Sequence, residues 1–116
     1  MIEMMKKTNN MIKNYKKYLK KIESSIHIIL NNSQIFLFGS VIKGNLVAGS
    51  DIDILMIANI PKKHLKRAEI IAKIEEDAGL PLWHPFEFHL LTQEEMDIWI
   101  KLYKLDFEDI STHIES

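Results

Sequence analysis

The chain contains no cysteine, which excludes a disulfide framework and a thiolate metal site alike. It has no apolar run near the roughly 18 residues that a bilayer span requires. Its opening, Met-Ile-Glu-Met-Met-Lys-Lys, lacks the apolar stretch of a secretory signal, so the expected location is the cytoplasm, away from membranes. Internal repeats and low-complexity linkers are also missing. Glycine is scarce: of four residues, three (Gly39, Gly44, Gly49) crowd into one short stretch. What remains is an ordinary globular composition, 47% apolar and 27% charged over 116 residues, enough for one small domain spanning residues 1–116. A domain of this size holds one active centre and hardly a second large substrate pocket, so a bulky acceptor is expected to come from outside.

The net charge of −1 conceals a polarised chain. Residues 1–21 carry seven lysines against a single acid, Glu3, a balance of +6, while the rest of the chain stands at −7. A basic arm on an acidic body allows a nucleic-acid or acidic-partner contact, although lysines on the wet face of a helix give the same pattern and are the commoner cause.

Periodicity outlines the elements. Ile12, Tyr15, Leu19, Ile22, Ile26 and Ile29 follow a 3,4 spacing that predicts one long helix over 2–31, with a stripe that packs on this chain's own sheet or is shared with a partner, a second copy included. Gln34–Phe38 reads as a buried strand ending at Gly39, and 39–50 as a loop with a short helix. Asp51 to Ile57 predicts a second strand. Pro61 suits a first helical position, with Leu65, Ala68, Ile71, Ala72, Ile74 and Ala78 at helical spacing and Gly79 as the stop. Phe86–Leu91 predicts a third strand, and Thr92-Gln93-Glu94-Glu95 a capping box opening a helix to about Leu105 that puts Met96, Trp99, Leu102 and Tyr103 on one side. The acidic tail 106–116 is expected to fray. The fold class is therefore a small α/β (α+β) domain: an N-terminal helix (1–31), a core (34–105) with three strands or a larger mixed sheet covered by helices, and the tail.

Chemistry concentrates between Gly39 and Asp53. On a strand, Asp51 and Asp53 would point to one face, roughly 7 Å apart along the backbone. Two such carboxylates repel and lose hydration, and a hard divalent cation such as Mg²⁺ or Mn²⁺ relieves both costs. On spacing alone, a turn cap followed by a solvated carboxylate explains the dipeptide equally well. Gly39-Ser40 shifts the balance. A strand that ends in glycine and serine before a short helix presents backbone N–H groups and a hydroxyl suited to phosphate, and Lys43 lies one turn further on. The segment is not a P-loop, because Asn45-Leu46 stands where Lys-Ser/Thr is needed, nor an EF-hand, because Ile54 to Met56 supply no oxygens.

Gly39-Ser40, ten residues, then Asp51-Ile52-Asp53 resembles the G-S-x10-D-x-D signature of the DNA polymerase β-type nucleotidyltransferase superfamily. Lys43-Gly44 and Ser50-Asp51 fall where its minimal members carry Arg-Gly and Ser-Asp, and length and element order follow those members more loosely. The resemblance implies three acidic ligands for two Mg²⁺ ions (Mn²⁺ as an alternative): Asp51 and Asp53 on one strand, and Glu87 on its neighbour. Glu87 and His89 share a strand face by period two, and aligning the strand end at Leu91-Thr92 places His89 where an aspartate is often found, so either residue is open for the third position. Gly39, Ser40, Lys43 and Ser50 would hold the triphosphate. Val41 departs from the polar residue frequent after Gly-Ser. Trp99 is assigned to the core, while His64, Trp83 and His84 form no pattern.

The implied reaction is transfer of a nucleoside monophosphate, most simply AMP from ATP, to a hydroxyl of a partner macromolecule. Small members of the superfamily are associated with HEPN-type helical proteins in toxin–antitoxin pairs, which implies a protein acceptor. Two other readings stand beside it: a catalytically weak module that binds nucleotide and masks a partner, and a nucleic-acid accessory protein using the lysine-rich arm.

Overall fold

The apolar stripe is buried as its spacing requires, with Ile12, Leu19, Ile22 and Ile26 nearly or wholly inaccessible, but it does not lie on one helix. In this computed structural model, which describes residues 2–114, a turn at Asn14–Tyr15 divides it into α1 (Ile2–Lys13) and α2 (Lys16–Ile29). The cause is local. The Asn14 side chain donates back to the Asn10 carbonyl, and the next amides, of Lys17 and Tyr18, bond three residues back instead of four. A side chain that competes for backbone groups is what makes asparagine a poor helix interior residue.

β1 (Gln34–Phe38) is followed by the single-turn helix α3 (Ser40–Lys43), β2 (Ile52–Ile57), α4 (His64–Asp77), β3 (Phe86–Leu91), α5 (Gln93–Tyr103) and β4 (Phe107–Asp109), with a 3-10 turn at Ile110–His113. The sheet order is β3-β2-β1-β4; β2 runs antiparallel to β1 and parallel to β3, and β4 is antiparallel to β1. The predicted α+β class and helix-covered mixed sheet are present, with one strand more than the periodicity outlines. The extra strand comes from the segment expected to fray: Phe107 pairs with Phe38, and its ring meets Phe36 edge-on at 4.9 Å. Residues 115 and 116 of the expected tail lie outside the described residues.

Alternation sorts the side chains onto two faces. Ile35, Leu37, Ile52, Ile54, Met56, Phe86 and Leu90 form the main core with Leu19, Ile22 and Ile26 of α2 and Ile74 of α4. The opposite face carries Leu55, Ile57 and Leu91, covered by Met96 and Trp99 of α5. Further along that face lie Asp53 and Glu87, second in β2 and β3, and His89 one pleat on, at the edge of the Trp99 cover.

Two helices differ in detail from their periodicity. α4 begins at His64, three residues after Pro61, and buries Arg67 and Ile74 while Leu65 is exposed. Arg67 donates to the Pro61 and Leu90 carbonyls and makes a two-pronged contact with Glu95, tying α4 to the start of α5. The capping box of α5 is complete: Thr92 Oγ1 accepts from the Glu95 amide, and the Glu95 carboxylate accepts from the Thr92 amide. Leu102 and Tyr103, expected beside Met96, are exposed instead. No helix among the described residues is long and apolar enough to cross a membrane.

Candidate active site

The site starts where β1 ends. Phe38 pairs with Asp53 across the β1–β2 ladder, and the chain then bends at Gly39, whose φ of +76° lies in the region closed to most L-residues. A Cβ at Gly39 would stand 2.6 Å from Asp53 Oδ2, so the bend presses its backbone against that carboxylate and leaves no room for a side chain. Beyond the bend, the Gly39 carbonyl accepts from Ile42 and Lys43 and closes the single turn of α3. The first-turn amides of Ser40 and Val41 have no intrahelical partner, as at any helix start. Val41 is buried in the main core, which accounts for an apolar residue after Gly-Ser: here it anchors the turn. Lys43 is exposed at the end of that turn.

The loop that returns to β2 is shaped by its own hydrogen bonds. The Ser50 amide donates to the Val47 carbonyl, and Ser50 Oγ accepts from the Val47 amide at 2.9 Å. The Ser50 oxygen is thus engaged within its loop. β2 starts at Ile52, one residue later than the sequence predicts, so Asp51 stands exposed just outside the ladder.

The β2–β3 register places Asp53 directly opposite Glu87, and His89 one pleat along opposite Leu55. His89 Nε2 lies 3.2 Å from Asp53 Oδ1 and 3.7 Å from Glu87 Oε1. One ligand atom from each of Asp53, Glu87 and His89 falls within 4.8 Å of the others. Asp51 is not in that cluster, although its charge is felt there. Partial burial, the charges of Asp53 and Asp51, and a hydrogen bond with Asp53 together push the Glu87 carboxyl above its ordinary range, and His89 only partly offsets them. Crowded carboxylates are the donor set that a hard divalent cation satisfies, and the imidazole adds a nitrogen that Mn²⁺ also accepts.

An aromatic wall backs this cluster. The His89 ring is 5.0 Å from Phe38 and 5.7 Å from Trp99, and Trp99 in turn meets Tyr103 edge-on at 6.0 Å. A cavity of about 430 Å³ opens beside it, lined by His64, Arg67, Ile71, His89 and Trp99 among others. Trp99 is half-buried and packs on the second core as expected, and it also meets His89, a contact that its core assignment does not include. The available signals were its place three residues after Met96 and the alternation that sets Phe38 on the same face as Phe36.

Comparison with known proteins bears on the family and the fold. A family model described as a nucleotidyltransferase domain matches residues 12–112. No curated protein matches. Among solved structures, one described as a candidate nucleotidyltransferase is 28% identical and superposes with a TM-score of 0.58 over 78% of this chain and 96% of its own. A second, from Sulfolobus solfataricus and described in the same way, is 20% identical, with a TM-score of 0.51 over 91% of this chain and 83% of its own. A third, described as a toxin–antitoxin with AMP-PNP, is 20% identical, with a TM-score of 0.54 over 79% of this chain and 71% of its own. At 20% identity these last two show likeness of fold alone.

Proposed function

The chain belongs to the nucleotidyltransferase domain family, and from that premise we propose that it transfers a nucleoside monophosphate, most simply AMP from ATP, to a hydroxyl of a partner protein in a toxin–antitoxin pair. One observation carries the reading: the Gly39 bend lies against the Asp53 carboxylate, with Glu87 across from it, so phosphate donors and metal-type acceptors meet in one place. The fold neighbour described as a toxin–antitoxin with AMP-PNP is in keeping with an adenine nucleotide and a protein partner, while the HEPN type of that partner comes from the sequence resemblance alone.

In this reading the Ser40 amide and hydroxyl and the Val41 amide donate to the β- and γ-phosphate oxygens, and Lys43 adds its charge. Asp51, Asp53 and Glu87 would hold Mg²⁺, with His89 fixing the Asp53 carboxylate through its hydrogen bond. When bound, the cations neutralise the triphosphate and lower the pKa of the acceptor hydroxyl. The acceptor oxygen attacks the α-phosphorus in line, its O–P bond forming as the bond to the bridging oxygen breaks, and pyrophosphate leaves. In this reading Glu87, as ligand or as base, assists removal of the hydroxyl proton.

A second reading, a catalytically weak nucleotide-binding or partner-masking module, is favoured by one feature: Asp51 stands apart from the Asp53–Glu87–His89 cluster. Turnover separates the two. Incubation with labelled nucleoside triphosphates, Mg²⁺ and a source lysate labels one protein band in the first reading, and the double variant Asp51→Asn, Asp53→Asn abolishes the label while keeping the fold. Label that survives in the double variant refutes the metal assignment, and no label with the native chain selects the binding module.

A further inference from the structure

The family match begins at residue 12, yet most of α1 lies before it and touches both loops that lead into the site. Thr8 Oγ1 is 2.6 Å from the carbonyl of Trp83, in the connection that enters β3. The adjacent residue, Asn9, accepts through Oδ1 from the Gly49 amide at 3.0 Å, in the loop that enters β2. The Lys7 ammonium lies over the Trp83 ring, 5.1 Å from its centroid. Both Thr8 and Asn9 are half-buried. Two consecutive residues of one helix therefore hold the approaches to the two strands that carry the acids.

Asp51 has no hydrogen bond or ion pair of its own among the described residues, so its position is set by the backbone that carries it. The Val47–Ser50 bonds close that loop on itself, and Leu46 at its start packs against the main core. On the α3 side the anchor is the Asn45 amide on the Ser40 carbonyl, and on the strand side it is the Ile52 amide on Pro85. Between those two points, among the described residues, the hydrogen bond that ties the loop to another element is the one from Gly49 to Asn9. Gly49 has a φ of +83°, a conformation held more cheaply by glycine but also left more freely by it.

We propose that Asn9 is a positioning residue: by holding Gly49 it fixes where Asp51 stands relative to Asp53 and Glu87, while Thr8 holds the β3 entrance in the same frame. The inference rests on the function proposed above, since it takes Asp51 as a metal ligand. A ligand that is otherwise unsupported depends on the residue that places its backbone, as metal-binding side chains in general depend on the groups that orient them.

The test compares Asn9→Ala, Asn9→Asp and Asn10→Ala, the last an exposed neighbour on the same helix. Alanine favours the helix, so the first variant keeps α1 folded, and aspartate keeps an acceptor oxygen at the same reach. Amide exchange at Gly49 and Mn²⁺ binding by electron paramagnetic resonance are the readouts. Asn9→Ala is expected to speed Gly49 exchange and to weaken Mn²⁺ binding by about tenfold. Asn9→Asp restores both, and Asn10→Ala changes neither. Unchanged Gly49 exchange, or unchanged Mn²⁺ affinity, in Asn9→Ala overturns the positioning role. Native protein that binds no Mn²⁺ overturns the proposed function instead, and the Gly49 exchange then decides by itself whether Asn9 holds the loop.

Discussion

Gly39 and Asp53, fourteen residues apart in sequence, are in contact, with the space for a Cβ on the glycine closed by Oδ2 of the aspartate at 2.6 Å. The two halves of the motif are thus one packing unit. The glycine is required twice over, by its positive φ and by the carboxylate lying against it.

Gly39→Ala is therefore expected to lose about 2 kcal/mol of stability or more, from backbone strain and displacement of Asp53. Urea unfolding measures the first effect. Loss of nucleotide binding, followed by calorimetry, measures the second, and alanine tolerated at both readouts would contradict the contact.

Divalent cation should raise the thermal midpoint of the native chain, because it binds the folded cluster and not the unfolded chain. At a hundredfold excess over its dissociation constant the gain is about 2.7 kcal/mol. Asp53→Asn is expected to abolish the shift. The same variant should unfold no more easily than the native protein without metal, since it removes one of the crowded charges around Glu87. Scanning calorimetry with and without Mg²⁺ or Mn²⁺ covers both outcomes.

The raised Glu87 carboxyl has a stability consequence of definite sign. Its folded form holds the proton to higher pH than the unfolded chain does, so its contribution is complete below the ordinary glutamate range and is lost as pH rises through the folded value. Glu87→Gln is expected to flatten that part of the stability profile in metal-free buffer and to remove transferase activity. Denaturant titrations between pH 4 and 8 distinguish a flattened slope from an unchanged one.

Glu95 behaves oppositely. Its two hydrogen bonds from Arg67, with help from the Thr92 amide, hold its carboxyl at about 2. The stability this supplies is present above the ordinary glutamate range and is lost as pH falls toward 2. Arg67→Met should shrink that acid limb and cost about 2 kcal/mol at neutral pH, because the Leu90 carbonyl loses its Arg67 donor while the loss of paired charge at Glu95, which is partly exposed, is screened by water. A loss below 1 kcal/mol would mean that α4 and α5 are held by other contacts.

Much of this was legible in the residues themselves. The stripe from Ile12 to Ile26, the capping box at Thr92–Glu95 and the pairing of Glu87 with His89 on one strand face depend on local spacing, and local spacing is what a sequence displays. The bend at Gly39 announced itself through its neighbours. What escaped was set by partners distant in the chain. Phe107 forms a strand because Phe36 and Phe38 offer it a ladder and a ring. α4 starts late and turns Arg67 inward because Glu95 and the Leu90 carbonyl lie across from it. Asp51 falls just short of its strand, because the ladder with β3 opens at Ile52 and Phe86. Asn9 gives no sign of its attachment to Gly49, forty residues on.

β3 is the last strand on its side of the sheet. Asp53 consequently has main chain on both flanks, whereas Glu87 has it on one, and half of its side chain is open to water. The acidic pair is lopsided: one member is walled in and the other borders on open solvent. A visiting molecule can slide in from that border and reach both carboxylates without parting a single rung between strands.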